Sequence, residues 1–299
     1  MDAAIRTKNL TKYYGRSRGV VGVDLEVPRG MVVGFLGPNG AGKTTTMRLL
    51  MDLIRPSTGR AEVLGLDVRT HTIEIRRRVG YLPGDFSMYQ RLTPREMFLF
   101  FAHLRRRSGL GWAEELSDRL QLDLDRPIHH LSSGNRQKVG VVQAFMHRPE
   151  VLILDEPTAG LDPLMQREFF AIVREAIAEG STVFLSSHIL DEVERIAERV
   201  AIIREGHLVA TEDVGKLKGS AVSSLSIMFA DPVSSEDFEG IPGVEGVSVE
   251  DRLLTCKVIG SVDQLLRTVT KFEVVGIKSS EADLEEVFMR YFGEVSRAP

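Results

Sequence analysis

Met31-Val32-Val33-Gly34-Phe35-Leu36 runs directly into Gly37-Pro38-Asn39-Gly40-Ala41-Gly42-Lys43-Thr44, and Thr45-Thr46-Met47-Arg48-Leu49-Leu50 follows without a break. The first six residues form a short continuous apolar run, the length of a buried strand. From Thr44 to Ile54 the apolar residues fall at helical spacing. Between them lies the pattern G-x-x-x-x-G-K-[ST], in the strand, loop, helix context that gives the pattern meaning. Glycines let the backbone curl until successive N–H groups point inward at phosphate oxygens, and the helix adds the positive end of its dipole. Gly37, Pro38, Asn39, Gly40, Ala41 and Gly42 are therefore expected to cradle phosphates. Lys43 reaches the β- and γ-phosphates, Thr44 gives its hydroxyl to Mg²⁺, and Thr45 bonds a phosphate from the next helical turn.

A second stretch completes this chemistry. Val151-Leu152-Ile153-Leu154-Asp155-Glu156 is an apolar strand that ends in two carboxylates, which a sheet with the same strand polarity brings to the edge beside the phosphate loop. Two acids there are costly without a cation. Asp155 is assigned to Mg²⁺ through its water shell, and Glu156 to polarising the water that attacks the γ-phosphate. A helix-cap or turn role for the pair stays open at this point. Together the two stretches describe a P-loop NTPase, a class that includes kinases, GTPases and helicases.

Outward from these segments, residues 1–30 alternate near period two, with a turn at Pro28-Arg29-Gly30, and predict a small antiparallel subdomain. Residues 93–148 are helical in pattern. Apolar strands at 151–154, 182–185 and 200–203, separated by helical stretches, predict a parallel sheet with covering helices. Gly215 to Ser220 is a glycine-bounded polar hinge. Beyond it the chain turns acidic, and strand runs fall at 225–229, 244–249, 253–259 and 272–277. Leu284, Val287, Phe288, Tyr291 and Phe292 then fall on one helical stripe. The predicted fold is α/β, a P-loop nucleotide-binding domain over 1–215 with an antiparallel β subdomain and a helical subdomain at about 86–150, plus a small C-terminal α+β domain over 220–299.

The 299 residues are 43% hydrophobic and 27% charged, an ordinary globular balance, with a net charge of -4. From residue 220 onward there are 7 basic against 14 acidic residues, so no concentrated basic field exists for nucleic acid, despite the local clusters Arg76–Arg78 and Arg105–Arg107. No nucleic-acid partner is expected. No apolar run approaches the ~20 residues of a spanning helix, and the N-terminus lacks a signal-peptide pattern. A cytoplasmic protein without direct membrane insertion is expected. Cys256 is the single cysteine, read as a small buried hydrophobe. His129-His130 has no third ligand at metal spacing.

Three further motifs narrow the class. Leu131-Ser132-Ser133-Gly134-Asn135, just before a helical run, resembles the LSGGQ signature of ABC ATPases. Asp155-Glu156-Pro157-Thr158 followed by Gly160-Leu161-Asp162 resembles that family's Walker B and D-loop, and Ser187-His188 its switch histidine. Tyr14 corresponds to the aromatic that stacks on adenine, with Tyr13 the alternative if the register slips by one. The resemblance spans about residues 5–215. It implies an ATP-binding and ATP-hydrolysing subunit whose second copy faces it head to tail, so that Ser132, Ser133, Gly134 and Asn135 act in trans on the ATP held by the opposite phosphate loop. It also implies that Asp162 belongs to the D-loop, that His188 holds Glu156 and the water in line, and that a separate integral membrane permease holds the subunit at the inner face of the membrane.

Where the family usually carries a glutamine that touches Mg²⁺ and the attacking water, this chain has Gly84, with Asp85, a water or a permease residue as substitutes. A glutamine restored at 84 is expected to leave hydrolysis intact. Ser133 and Asn135 also depart from the usual signature residues. The Ser-Gly-Asn-Arg-Gln-Lys run and the acidic tail with Asp283-Leu284-Glu285-Glu286-Val287-Phe288 resemble bacterial drug-exporter subunits of the daunorubicin and bacitracin type. Two other classes stand beside this reading. Soluble ABC proteins of translation or DNA repair carry joined cassettes or a long coiled coil, which this chain lacks. An ATP-regulated binding module with little hydrolysis is motivated by Gly84 and the altered signature, and opposed by the intact Lys43, Asp155 and Glu156.

Overall fold

Strands buried on both faces read as near-continuous apolar runs, and Val32–Leu36 and Val151–Asp155, apolar up to its terminal Asp155, are buried throughout in the computed structural model, which describes residues 2–85, 89–106, 109–216, 222–259 and 261–280. In chain order the first elements are β1 (Ala3–Tyr14), β2 (Ser17–Val23), β3 (Glu26–Pro28), β4 (Val32–Leu36), α1 (Lys43–Leu50), β5 (Thr58–Val63), β6 (Leu66–Asp67), α2 (Thr72–Arg78) and β7 (Val79–Leu82). Then come α3 (Pro94–Leu104), α4 (Trp112–Arg119), α5 (Ser133–Phe145), β8 (Val151–Asp155), α6 (Pro163–Ala178), β9 (Thr182–Ser187), α7 (Leu190–Glu194), β10 (Arg199–Arg204) and β11 (His207–Asp213). The remainder is β12 (Val222–Phe229), β13 (Val244–Glu250), β14 (Leu253–Ile259), α8 (Asp263–Val269) and β15 (Val274–Ser280).

The chain divides into two compact units, Met1–Thr211 and Glu212–Pro299. In the first, a five-stranded sheet has the order β2-β1-β5-β6 with β3 also on β1, and its pairings are antiparallel. A six-stranded sheet has the order β11-β10-β4-β9-β8-β7, and β10, β4, β9, β8 and β7 run parallel. Parallel pairing puts the carboxyl ends of β4 and β8 on one edge, with β9 between them, and the phosphate loop and the acidic pair with them. Phe35 and Phe184, from adjacent strands, meet at 5.2 Å between ring centroids in the core below that edge.

Local sequence sets the helix starts. Thr93 and Glu96 form a reciprocal capping box with Pro94 in the first turn of α3, and Asp162 caps α6 ahead of Pro163. Between 93 and 148 the described residues form helices and no strand. In the second unit the sheet order is β13-β14-β12-β15, all antiparallel, over a core of Leu225, Ile227, Phe229, Phe238, Leu254, Cys256 and Val258. Cys256 is buried there, and burial pushes its thiol above the usual range.

Boundaries shift where a specific residue intervenes. The helix after the phosphate loop, with apolar spacing out to Ile54, ends at Leu50, because Asp52 turns into the left-handed region at φ 50°. The last strand begins at Val274 and not at Phe272, whose ring packs 5.6 Å from Phe229 and 5.5 Å from Phe238. The strands β5, β6 and β11 and the helices α2 and α8 have no counterpart in the sequence reading. Residues 217–220 of the hinge, the stripe from Leu284 to Phe292 and Arg107 lie outside the described residues.

Candidate functional site

β4 delivers Gly37 to the carboxyl edge of its sheet, and the loop closes into α1 through Gly42, whose φ of 111° lies in the left-handed region. A Cβ at Gly42 would also lie 2.6 Å from Val20 Cγ1, so both conformation and space require glycine. No side chain caps α1 at Gly42, which leaves the first N–H groups of this eight-residue helix for an anion. Lys43, the first residue of α1, is only 6% exposed. Its ammonium donates to Gly37 O at 2.5 Å and Pro38 O at 3.3 Å, and stands 3.2 Å from Glu156 Oε1.

The acidic pair is fixed from β9. In the β8–β9 register Asp155 faces Ser186, whose hydroxyl donates to Asp155 Oδ1 at 2.5 Å and accepts from the Glu156 N–H at 3.0 Å. Asp155 is fully buried, and its Oδ2 has no hydrogen-bond donor among the described residues. A buried carboxylate oxygen left so is costly, and a divalent cation beside it would compensate that cost. The hard oxygen donors Asp155 and Thr44 fit Mg²⁺. Burial, and then the charge of Asp155, push the Tyr81 phenol on β7 up to about 12, so it stays protonated at neutral pH.

Glu156 adopts a left-handed backbone at φ 49°, uncommon for a residue with a Cβ. Gln137 on α5 steadies that turn by donating from its amide to Glu156 O at 3.1 Å and Pro157 O at 3.0 Å. With the turn held, the Glu156 carboxylate spans two partners, Lys43 on Oε1 and His188 Nδ1 on Oε2 at 2.8 Å. Since a carboxylate only accepts, Nδ1 carries the ring proton in this contact.

Tyr14, Arg18, Gly19, Pro38 to Thr45 and Glu156 line one cleft of about 220 Å³. Tyr14 and Tyr13 are similarly exposed, at 46% and 44%, but Tyr14 alone of the two lines the cleft. An exposed aromatic face beside a phosphate loop suits a stacked base. Tyr14→Ala is expected to weaken ATP binding by ~1–3 kcal/mol, about 5- to 150-fold, and with little preference among purine nucleotides. Equilibrium titration with a fluorescent ATP analogue checks this, and unchanged affinity would remove Tyr14 from the site.

The structure does not bring the remaining expected residues to this cleft. Ser132 caps α5, accepting from the Asn135 N–H at 3.2 Å, and Ser133 and Gly134 form its first turn. Asp162 accepts from the N–H groups of Leu164 and Met165 at 3.0 Å each. The segments of the signature and the D-loop touch one another: a Cβ at Gly134 would meet Gly160 O at 2.5 Å. They therefore form one surface, and none of its residues lines the cleft of their own chain's phosphate loop.

Three residues of the site receive no role from the sequence: Arg18 and Ser186, which lie in no motif, and Gln137, which lies in the Ser-Gly-Asn-Arg-Gln-Lys run. Ser186 lies two residues before His188 on β9, where a strand next to the acidic strand must place a side chain opposite Asp155. Gln137 lies one helical turn past Ser133, facing the strand-to-loop turn. Arg18 gives no signal, since its place in the cleft comes from the β1–β2 hairpin, in which Tyr13 pairs with Arg18.

Comparison with known proteins follows the same lines. The family model described as ABC transporter matches residues 20–159. The chain is 35% identical to the daunorubicin/doxorubicin resistance ATP-binding protein DrrA of Streptomyces peucetius, over 97% of this chain and 92% of that protein. It is 33% identical to the bacitracin transport ATP-binding protein BcrA of Bacillus licheniformis, over 98% of each. Among solved structures, an ATP-binding subunit of an ABC transporter aligns with a TM-score of 0.66 at 30% identity, over 72% of this chain and 92% of that one. The dimeric post-hydrolysis form of the MJ0796 cassette bound to ADP and Pi shares the fold, with a TM-score of 0.65 at 22% identity, over 70% and 98%.

Proposed function

The chain belongs to the family of ABC transporter ATP-binding subunits, and from that premise we propose that it powers export of a drug-like molecule by closing, with ATP, onto a second copy of itself beneath a membrane permease. It is an ATP-hydrolysing subunit. The export assignment is supported by relatives named for daunorubicin and bacitracin resistance or transport, alike over nearly the whole chain. Among the described residues no helix is long and apolar enough to cross a membrane. We place the subunit at the cytoplasmic face through that permease, with residues 1–215 as the nucleotide-binding domain and 220–299 as an accessory domain.

The observation that carries the mechanism is the linked set Lys43, Glu156 and His188. Lys43 is held by two loop carbonyls and Glu156, contacts that γ-phosphate oxygens replace with stronger charge-assisted ones. Transfer of Lys43 to the phosphates releases Glu156 Oε1. The carboxylate, still oriented by His188 and by the Ser186 bond to its backbone, then accepts a proton from the attacking water. Asp155 and Thr44 would hold Mg²⁺, which supplies charge neutralisation of the phosphates.

The surface of Ser132, Ser133, Gly134 and Asn135 offers N–H groups at the start of a 13-residue helix, suited to the γ-phosphate of a facing subunit. Ser133 is exposed, and its replacement by arginine puts bulk on that face without touching the chain's own phosphate loop. Ser133→Arg is expected to keep ATP affinity within about threefold of wild type and to lose turnover by ~10²-fold or more, as expected for loss of transition-state charge stabilisation. Binding titration and phosphate release test this. Turnover at the wild-type level contradicts the in-trans role.

A further inference from the structure

Gly84 follows β7, and the β7–β8 register, with Leu82 opposite Leu154, carries it to the end of the acidic strand. A Cβ built at Gly84 would lie 3.1 Å from Asp155 Oδ2 and 3.3 Å from Asp155 Cγ. The first distance is tighter than ordinary van der Waals contact, and the atom approached is the buried oxygen that lacks a donor. Asp155 has little freedom to yield. Its other oxygen is held by the Ser186 hydroxyl, which also receives the Glu156 N–H, so turning the carboxylate breaks the contact that organises both acids.

We propose that Gly84 is a positioning residue for the cation site: by presenting no side chain, it keeps open the approach of a hydrated divalent cation to Asp155 Oδ2. The inference rests on the nucleotide-site reading above. A carboxylate oxygen coordinates a cation only if the cation and its waters fit beside it, and Mg²⁺ keeps several of those waters. With this backbone a Cβ at 84 narrows that space unless Asp155, held by Ser186, gives way by a few tenths of an ångström. Glutamine carries the same Cβ, so on this proposal Gly84→Gln weakens the response to Mg²⁺, where the sequence alone leads to the expectation that hydrolysis stays intact. Gly84 is then a requirement of how closely this loop approaches Asp155, not a gap left for another residue to fill.

The test titrates a fluorescent ATP analogue into the full-length wild type, Gly84→Ala and Gly84→Gln, in EDTA and across a Mg²⁺ series. The wild type is expected to bind in EDTA and to bind tighter as Mg²⁺ is added. Both variants are expected to match the wild type in EDTA, while the Mg²⁺ concentration for half-maximal tightening rises roughly 10-fold or more, the usual cost of disturbing the surroundings of a metal ligand. A purely structural defect lowers binding in EDTA as well, and that parallel loss overturns the proposal. Unchanged Mg²⁺ dependence in the variants, or a wild type indifferent to Mg²⁺, overturns it too. Failure of the wild type to bind the analogue at all is a separate result, and sinks the nucleotide-site reading itself.

Discussion

Glu156→Gln is expected to lower ATP turnover by about 10²–10⁴-fold, the range lost when a positioned general base is removed, and to leave ATP bound. Glutamine has the shape of glutamate, so the left-handed turn at 156, its N–H bond to Ser186 and the Gln137 contacts all persist. Only the charge is lost, and with it the capacity to take a proton from water. The amide also gives up its ion pair with Lys43, which frees the ammonium for phosphate and argues against weaker nucleotide binding. Steady-state phosphate release, measured with ATP affinity on the same samples, separates the two effects. Turnover within a few-fold of wild type would assign the proton transfer to another group.

Lys43→Ala is expected to lose nucleotide affinity as well as turnover. The ammonium is nearly buried at the mouth of α1, with its three partners within 3.3 Å. Burying a cation there without an anionic ligand to come is hard to account for, because desolvation is costly even beside a carboxylate. Removing it deletes a charge-assisted contact worth about 1.5–3 kcal/mol, so ATP affinity falls roughly 10- to 100-fold. Turnover falls further, since the same contact stabilises charge on the transferred group. Titration and phosphate release report both. Affinity equal to wild type would place the phosphates away from Gly37–Thr44.

The parts of this site that could be read in advance are those in which one residue type has few physical alternatives. Glycines followed by Lys43 after an apolar strand, and paired acids at the end of another, have narrow explanations. Their meeting also follows, because parallel strands align carboxyl ends. Ser186 and Gln137 are harder, since serine and glutamine serve many purposes and their roles depend on register and helix phase. The strand β5, Thr-Gly-Arg-Ala-Glu-Val, is hidden because three of its six residues are exposed and it pairs with β1 across a long sequence separation. The helix α8 spans seven residues, too few to establish a period. Gly84 illustrates the opposite limit: sequence marks a missing side chain, and only the 3.1 Å approach to Asp155 shows why a side chain is unwelcome.

In the proposed mechanism ATP closes two copies of the chain around sites that each copy only half completes. Light scattering of Glu156→Gln, with and without Mg²⁺ and ATP, tests that closure most directly, because slow hydrolysis holds the closed state long enough to weigh. The expected result is the monomer mass without nucleotide and twice that mass with ATP, with Ser133→Arg in the same background abolishing the doubling. A variant that binds ATP with wild-type affinity and remains monomeric at concentrations well above its dissociation constant contradicts it.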